Sequence, residues 1–377
     1  MNHNAPPTAA IKVTIVSRHI KGLGGLEKWT RRISNGFSRK GALVTVLTSD
    51  TPEKNNSKPF IDTRTLPLTK RLNFQKIDQF NRLVRQWNRR HQADIIFGMD
   101  GTSHQTHLRA GNGVHAAYLK QRHTLEDYPR YKSLLNPLNR TILNIEKKAF
   151  ENPELRVLFT NSYMVKNEIL EHYRVSPDKI EVIHNGAPWK ETERLFSRWV
   201  ENKQQGWMKY RLDPTLYHFL FIGNGYERKG LGPLLKALAT LSNKGFHLSI
   251  VGKDRKIETF IKLAKSLGLE KRSRFFGPVS DVYPLFQLAD CLVIPSRYDP
   301  FANVTVEALA MGLFVVSSKN NGGHEILQDE TGTIIENLAS IDSLRASLEY
   351  AMSHPKTSAG SQAIRDSVKH LDHSDQL

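Results

Sequence analysis

The sequence contains almost no cysteine and no long apolar segment. Its single cysteine among 377 residues, Cys291, excludes a disulfide within the chain and favours a reducing compartment. No run approaches the ~18 consecutive apolar residues that a membrane-spanning helix needs. The segment MNHNAPPTAAIKVTIVS lacks the character of a signal peptide, and no His/Cys grouping has the spacing of a structural zinc site. These absences predict a cytoplasmic protein without a metal site.

Acidic residues are scarce in the first half of the chain. Residues 1–190 contain 31 Lys and Arg against 16 Asp and Glu, which accounts for +15 of the formal net charge of +17. A basic half attracts polyanions such as nucleic acid, anionic lipid or a phosphorylated saccharide; the alternative is a solvated surface rich in Lys and Arg. The proportions of hydrophobic residues (39%) and charged residues (24%) are typical of a soluble globular protein. The length suits two domains.

Short apolar runs alternate with segments of helical periodicity, a pattern typical of βα units and parallel sheets. The pattern predicts strands at 12–17, 43–48, 94–98, 156–160, 180–184, 218–222, 247–251, 274–276, 291–295 and 314–318. A turn cluster, Asn185–Pro188, interrupts the alternation, which restarts after a polar connector. We therefore predict an α/β fold with two Rossmann-like domains, 1–186 and 187–356, that face each other across a cleft. A tail, 357–377, is expected to pack back on the first domain.

The sharpest local pattern is Arg297–Glu307, RYDPFANVTVE, which follows a predicted strand. Seven residues separate Asp299 from Glu307, and Asn303 can begin the helix that carries Glu307. The backbone N–H groups of Asn303 and Val304 would then lie at a helix N-terminus, which favours a phosphate. Glu307 would accept hydrogen bonds from ribose hydroxyls, and Asp299 would hold the hydroxyls of a transferred sugar. The alternative is an ordinary helix start with solvated acids.

A second loop, Gly223–Gly230 (GNGYERKG), also follows a predicted strand. Glycines such as Gly223 allow the backbone to approach an anion, and the cations Arg228 and Lys229 can clamp a pyrophosphate. The spacing differs from GxxxxGK[ST], so a kinase-type P-loop is not indicated. The alternative is a surface turn with two solvated cations.

Two further glycine-rich segments occur in the first half. Gly22–Gly25 lacks the GxGxxG spacing of a dinucleotide site, so Gly24 and Gly25 either approach a ligand or form a tight βα turn. In the segment RAGNGVHAAY, His115 either hydrogen-bonds a donor sugar or is a satisfied structural histidine. Asp100 follows the third predicted strand and is an additional candidate.

Residues 115–148 combine cations with aromatic and aliphatic side chains. Lys120, Arg122 and Lys132 are interleaved with tyrosines and with the pair Leu134–Leu135. This composition suits an anionic membrane surface or an anionic acceptor. The alternative is a solvated basic face.

Together these segments resemble the GT-B retaining glycosyltransferases of family 4. Asp299–Glu307 is similar to the family's carboxylate–x7–Glu motif, and Arg228–Lys229 is similar to its donor-diphosphate pair. Gly24–Gly25 is similar to its N-terminal glycine loop, and VIHNGA to its inter-domain junction. Two positions differ, because Asp299 replaces the usual Glu and Ala302 the usual Gly. Within the family the chain most resembles the lipopolysaccharide core glucosyltransferases.

The resemblance implies transfer of a hexose with retained configuration from a nucleotide sugar, UDP-glucose, without a cofactor or a metal. It implies that Asp299 and His115 orient the hexose. The donor-binding residues would be Gly24, Gly25, Gly223, Arg228, Lys229, Asn303, Val304 and Glu307. The acceptor would be a phosphorylated saccharide or glycolipid, such as lipopolysaccharide core, docked on the basic half with Lys120, Arg122 and Lys132. A bacterial enzyme of this kind would bind peripherally to the inner face of the cytoplasmic membrane.

Two other functions are compatible with the sequence. The basic half suits a nucleic-acid-binding protein, although no RRM, KH or helix-turn-helix signature is present, and no nucleic-acid partner is expected. Such a protein would bind oligonucleotides with a steep salt dependence and would not bind UDP. The other alternative is a different UDP-sugar-using enzyme of the same architecture, such as a glycogen-synthase-like transferase with another acceptor.

Overall fold

The protein consists of two α/β units, each built on one parallel sheet. The computed structural model describes residues 10–22, 24–51, 61–99, 101–125 and 129–376. The chain divides into Met1–Ile183 and His184–Gln376. The predicted α/β class with two parallel-sheet domains is therefore confirmed.

The first unit contains a seven-stranded sheet in the order β3-β2-β1-β4-β5-β6-β7. Its strands are β1 (Lys12–Val16), β2 (Leu43–Thr48), β3 (Ile61–Thr65), β4 (Ile95–Gly98), β5 (His107–Arg109), β6 (Val157–Thr160) and β7 (Ile180–Val182). Its helices are α1 (Gly25–Arg39), α2 (Asn73–Arg90), α3 (His115–Leu125), α4 (Arg130–Leu135), α5 (Pro137–Phe150) and α6 (Tyr163–His172). Every strand pairing is parallel.

Both faces of this sheet are covered, which explains the apolar character of its strands. Alternate residues of β1 point to opposite faces: Val13 and Ile15 belong to one core with Trp29, and Val16 belongs to another with Phe80. Burial of these side chains from two directions holds helices α1 and α2 against the sheet.

The second unit contains a six-stranded parallel sheet in the order β10-β9-β8-β11-β12-β13. Its strands are β8 (Tyr217–Ile222), β9 (Phe246–Val251), β10 (Ser273–Gly277), β11 (Cys291–Ile294), β12 (Phe314–Ser318) and β13 (Gly332–Ile335). Its helices are α7 (Glu193–Ser197), α8 (Trp199–Tyr210), α9 (Tyr226–Lys229), α10 (Leu231–Thr240), α11 (Ile257–Ser266), α12 (Tyr283–Leu288), α13 (Asn303–Ala310), α14 (Ile341–Met352) and α15 (Ser358–Ser367). Strands β8, β9, β11 and β12 are buried along their whole length. Cys291 is buried at the start of β11, and burial raises the pKa of its thiol.

The domain boundary and the position of the tail differ from the prediction. The second unit begins at His184 rather than at residue 187, and residues 357–376 belong to the second unit. The physical reason is a set of hydrogen bonds between the tail and the connector. Trp189 Nε1 donates to the carbonyl of Arg365, and Ala187 N donates to the carbonyl of Leu371. The connector itself forms two helices, α7 and α8.

In both sheets the first strand of the unit along the chain pairs with the second and the fourth. The strand order reverses between the first and the fourth strand, which defines a topological switch point. In open α/β sheets, ligands bind beyond the carboxyl ends of the strands at such a point. In the second unit the switch point lies between β8 and β11. The loops that leave these two strands are Gly223–Gly230 and the segment that begins before Asp299. The topology therefore brings together the two strongest sequence motifs.

A buried polar cluster lies at the opposite, amino-terminal ends of the same strands. Asp290 accepts hydrogen bonds from Lys203 Nζ at 2.6 Å and from the backbone N–H of His218 at 2.8 Å. The ring of His218 lies 5.8 Å from that of His247, between centroids. Burial, followed by the charges of His218 and Arg274, lowers the pKa of His247 to about 4. The second unit therefore holds His247 as a neutral side chain.

We expect the free energy of unfolding to fall as the pH decreases from about 6.5 to about 4. Over this range His247 becomes protonated in the unfolded chain but stays neutral in the folded protein. The difference between the two pKa values corresponds to a loss of ~3 kcal/mol at most. Urea unfolding at several pH values should show a shallower pH dependence for His247→Gln than for the wild type. His370→Gln, at an exposed histidine, is the control, and parallel curves for all three proteins would contradict the expectation.

Candidate functional site

A carboxylate and two cations meet where the loops after β8 and β11 approach each other. Arg228 Nη1 lies 3.2 Å from Asp299 Oδ2 and 3.0 Å from the carbonyl oxygen of Tyr298. Lys229 Nζ donates a short hydrogen bond to the same Asp299 oxygen. Lys229 and Asp299 are buried, whereas the Arg228 side chain is 39% exposed. The structure thus joins three residues that are predicted from two motifs 70 positions apart.

The charge state of this cluster follows from its surroundings. Burial alone would raise the pKa of the Asp299 carboxyl, but the charges of Lys229 and Arg228 and their hydrogen bonds outweigh burial and lower it. Asp299 is therefore ionised at neutral pH. Its single negative charge faces two positive charges, so the cluster has one cation in excess and favours a further anion.

Gly223 and Gly230 are glycines for steric reasons. A Cβ atom on Gly223 would lie 2.8 Å from Lys229 Cγ, so the lysine stem passes directly over this residue. Gly230 has φ +80°, and a Cβ there would lie 1.9 Å from the carbonyl oxygen of Pro295. The loop can therefore approach β11 and direct Lys229 toward Asp299 only with glycine at both positions.

The helix predicted to begin at Asn303 is α13, and its first turn has no side-chain cap. The N-cap is Ala302, whose side chain has no oxygen to accept from the first backbone N–H groups, while its carbonyl accepts a hydrogen bond from Thr305 N. Asn303 and Val304 are the first two residues of the helix, and Glu307 lies one turn further along. The Asn303 side chain accepts a hydrogen bond from Asn185 at 2.7 Å. The start of α13 thus retains the electrostatic character that attracts an anion.

Asn321 organises this loop, and the sequence prediction missed it. It is fully buried after β12, and its Oδ1 accepts hydrogen bonds from Ala302 N at 2.9 Å and from Gly323 N. Its Nδ2 donates to Ser317 Oγ at 2.9 Å and to Thr305 Oγ1 at 3.3 Å. Asn321 therefore fixes the residues between Asp299 and α13. The sequence signal that could have identified Asn321 is its position just after a predicted strand, in the segment SSKNNGG.

The glycine loop of the first unit leads directly into α1. Gly24 is the N-cap of α1 and Gly25 its first residue, and a Cβ on Gly24 would lie 2.3 Å from Glu27 Oε2. Asp50, at the end of β2, accepts hydrogen bonds from the backbone N–H groups of Ile20 and Lys21. Asp50 thus positions the loop, a role that the sequence prediction did not assign. The candidate Asp100 lies outside the described residues.

His115 begins α3 and lies in a largely buried polar cluster. Its backbone N–H donates to Glu146 Oε1 at 2.6 Å, and its Nε2 lies 3.1 Å from Asn139 Oδ1. Burial lowers the pKa of His115, so the imidazole is neutral at pH 7, and burial raises the pKa of Glu146. These contacts agree with the alternative interpretation of His115 as a structural histidine whose hydrogen bonds are satisfied. Its predicted catalytic role stays a prediction.

The predicted basic patch occupies α3 and α4. Lys120 Nζ lies 2.5 Å from Glu171 Oε1 in an exposed ion pair, and the Arg122 guanidinium lies 5.8 Å from the Tyr118 ring. Lys132 is exposed on α4 beside Leu134 and Leu135, which are 68% and 75% exposed. No described helix combines the length and the apolar composition needed to cross a membrane. The patch thus contains protruding apolar side chains as well as cations.

Both units match known glycosyltransferase families. Residues 23–188 match Glycosyltransferase Family 4, and residues 208–363 match Glycosyl transferases group 1. These two matches cover most of the chain, and the protein belongs to the GT-B glycosyltransferases. They do not favour the nucleic-acid-binding alternative.

Individual relatives agree with this assignment. The lipopolysaccharide glucosyltransferase WaaG of Escherichia coli (strain K12) is 25% identical over 334 residues, 87% of this chain and 86% of WaaG. A crystal structure of WaaG has a TM-score of 0.77 at 21% identity, covering 96% of this chain and 95% of that chain. Anabaena Alr3699/HepE in complex with UDP and glucose has a TM-score of 0.67 at 16% identity, covering 97% and 95%. The chain thus resembles lipopolysaccharide core enzymes, and the structural matches support the GT-B fold.

Proposed function

We propose that this glycosyltransferase moves glucose from UDP-glucose to a saccharide or glycolipid acceptor of the lipopolysaccharide core type, with retention of the anomeric configuration. The observation that carries the proposal is the convergence of Lys229 and Arg228 on Asp299, in the loop that leads to the uncapped start of α13. A nucleoside diphosphate leaving group needs such an excess of positive charge. The similarity to WaaG, and to a HepE structure with UDP and glucose, supports the choice of sugar and nucleotide.

The predicted site residues of the second unit have distinct roles in this proposal. Lys229, Arg228 and the N–H groups of Asn303 and Val304 would hold the diphosphate. Glu307 would accept hydrogen bonds from the ribose, and Asp299 would orient the hexose. These positive groups would stabilise the departing diphosphate, so the reaction is proposed to need neither a metal nor a cofactor.

The proposed chemistry is a front-face displacement within an ion pair. The bond between the hexose C1 and the diphosphate oxygen breaks, and its electron pair leaves with UDP. The acceptor hydroxyl oxygen forms the new bond to C1 on the same face and transfers its proton to the departing phosphate oxygen. The cations beside Asp299 stabilise the charge that develops on UDP.

Donor identity is tested by calorimetric titration with UDP, ADP and GDP, followed by hydrolysis assays with UDP-glucose, UDP-galactose and GDP-mannose. We expect UDP to bind most tightly and UDP-glucose to be hydrolysed fastest. Nuclear magnetic resonance of the transfer product should show the same anomeric configuration as the donor. Preference for ADP or GDP would contradict the nucleotide assignment, and an inverted product would contradict the mechanism.

We further propose that α3 and α4 place the enzyme on the anionic inner face of the cytoplasmic membrane. Tyr131, Leu134 and Leu135 are 60%, 68% and 75% exposed, and Lys132 is exposed among them. Apolar side chains that protrude beside cations suit the boundary between headgroups and acyl chains. Lys120 would contribute less than the sequence suggests, because Glu171 neutralises it.

Replacement of both leucines, Leu134→Ser with Leu135→Ser, should weaken binding to phosphatidylglycerol vesicles by about tenfold or more. Each leucine contributes on the order of 1.5 kcal/mol or more when its side chain leaves water. Vesicle co-sedimentation measures the effect. Met208→Ser, at an apolar residue of the second unit that is 73% exposed, is the matched control. Equal vesicle binding by the wild type, the double variant and Met208→Ser would contradict a role of α4 in membrane binding.

A further inference from the structure

The first unit contains a polar groove that none of the predicted site residues lines. It has a volume of about 1210 Å³ and lies between α2, α5 and the connection from β4 to β5. The described residues of this connection, 99 and 101–106, form no helix, whereas helices lie in the connections before β4 and after β5. The missing helix leaves a space in the layer that covers the sheet.

The floor of the groove is held in place by asparagine side chains. Asn81 Oδ1 accepts a hydrogen bond from Ser103 N at 3.0 Å, and Asn88 Nδ2 donates to the His104 carbonyl at 3.1 Å. Asn152 Nδ2 lies 3.4 Å from the carbonyl oxygens of Ser103 and Gln105. These bonds fix an irregular backbone that secondary structure does not stabilise, so the site is preorganised.

Cations from two helices line the groove. Arg85 and Arg89 lie on α2, and Lys147 and Lys148 lie on the last turn of α5. All four are exposed, and none of them pairs with a carboxylate among the described residues. Burial and the charges of Arg85, Arg89 and Lys148 lower the pKa of His104, and the charge of Glu154 partly opposes this effect. Five cations and three carboxylates line the groove, and Asp78 pairs with Arg82, so the lining carries a net positive charge.

Two buried amide atoms of residues that line the groove have no hydrogen-bond partner among the described residues. Gln105 Nε2 is a donor and Asn88 Oδ1 is an acceptor, and both are buried without a hydrogen bond among the described residues. A phosphate can satisfy the donor but not the acceptor, which needs an O–H or N–H group. Sugar hydroxyls supply both functions. The described residues that line the groove include no Phe, Tyr or Trp on which a nucleobase would stack, and few apolar residues for an acyl chain.

We propose that this groove is an accessory binding site for a phosphorylated saccharide. Phosphate groups would bind Arg85, Arg89, Lys147 and Lys148, and sugar hydroxyls would bind the free amide atoms of Asn88 and Gln105. The volume accommodates several sugar units, since drug-sized ligands occupy sites of ~300–1,000 Å³.

Within the first unit, the topology separates this groove from the predicted site residues Gly24, Gly25 and His115, which follow the carboxyl ends of β1 and β5. Helix α2 runs back from the carboxyl end of β3 to the start of β4, so its last turns lie near the amino ends of the strands. Gln105 precedes β5 and Glu151 follows α5, which places them at the same edge. Ligands that react in open α/β sheets bind at the opposite edge. The site thus holds a saccharide without taking part in transfer, and it does not depend on the proposed donor.

The test compares two double variants by calorimetry with glucose 1,6-bisphosphate as the probe. Arg85→Glu with Lys148→Glu reverses one groove cation on each helix. Arg90→Glu with Arg140→Glu makes the same change in charge on the same helices, at exposed residues outside the groove. We expect the first variant to lose at least tenfold in affinity and the second to change by less than about twofold. UDP-glucose hydrolysis without acceptor should be equal in all three proteins.

Further probes distinguish other ligands. Inorganic phosphate and neutral maltotriose should each bind the wild type more weakly than glucose 1,6-bisphosphate, because each satisfies only part of the groove. Equal losses in both double variants would overturn the proposal, since a general charge effect would then explain the binding. Tighter binding of an oligothymidylate or of phosphatidylglycerol vesicles than of the bisphosphate, dependent on Arg85 and Lys148, would also overturn it.

Discussion

Replacement of Lys229 by alanine is expected to lower the affinity for UDP by roughly 10- to 100-fold while the protein stays folded. A hydrogen bond to a charged group contributes about 1.5–3 kcal/mol, and 1.4 kcal/mol corresponds to tenfold in affinity. The loss should be large because Lys229 is buried and fixed against Asp299, whereas the neighbouring Arg228 is 39% exposed. Calorimetric titration with UDP measures the affinity, and circular dichroism confirms the fold.

Two further variants make this result specific. Lys236→Ala removes an exposed lysine from α10 of the same unit and should leave UDP binding unchanged. Asp299→Asn keeps the shape of the side chain but removes the charge that now occupies Lys229 and Arg228, so UDP should bind at least as tightly as to the wild type. Wild-type affinity for UDP in Lys229→Ala would remove Lys229 from the donor site.

The donor loops were predictable from sequence because both follow strands with an unmistakable apolar pattern. Strands β8 and β11 are buried along their whole length, so every residue in them is apolar or hydrogen-bonded. Once the strands are known, the parallel topology places the residues that follow them at one edge of the sheet. The contact between Lys229 and Asp299 therefore follows from two local patterns and one topological rule.

Elements with weak apolar patterns were missed. Strand β3 has the sequence IDTRT at the edge of its sheet, and none of its residues is buried. Strand β5 has three residues, too few for a period to be recognised. Helix α3 lacks a clear apolar face, since its buried residues are only Ala117 and Leu119. In each case the tertiary neighbours, rather than the local sequence, determine the structure.

Side chains that act through distant partners could not be identified from sequence. Asn321 fixes the Asp299 loop through hydrogen bonds to residues up to 19 positions away, and a single asparagine beside two glycines is also typical of an ordinary turn. Lys120 was predicted as part of a membrane or acceptor patch, and its partner Glu171, 51 positions later, was not foreseen. Spacing along the chain indicates which residues share a strand or a helix, and it does not reveal such partners.

Arg365→Ala is expected to destabilise the second unit by about 3 kcal/mol or more. Arg365 is fully buried and donates hydrogen bonds to the carbonyl oxygens of Ala310 and Trp189, and to Glu193 Oε2 at 2.8 Å. Its guanidinium also lies 4.2 Å from the Trp189 ring. Truncation would leave the buried carbonyl of Ala310 without a donor, which costs about 1–3 kcal/mol, and it would also remove the contacts with the Trp189 ring and Glu193. Ala310 ends α13, so the arginine also complements the negative end of that helix dipole.

Thermal unfolding measures this effect, and for a unit of this size we expect the Tm to fall by roughly 6–12 °C. Lys369→Ala is the matched control, because Lys369 Nζ lies 5.6 Å from the same Trp189 ring but is exposed. Arg365→Lys should fall between the two, since a lysine retains the charge but cannot reach three acceptors with a planar group. A Tm shift no larger than that of Lys369→Ala would mean that the tail is held by apolar packing of its neighbours rather than by Arg365. Under conditions where the variant is folded, UDP affinity should equal that of the wild type, because Arg365 contacts the end of α13 and not its start.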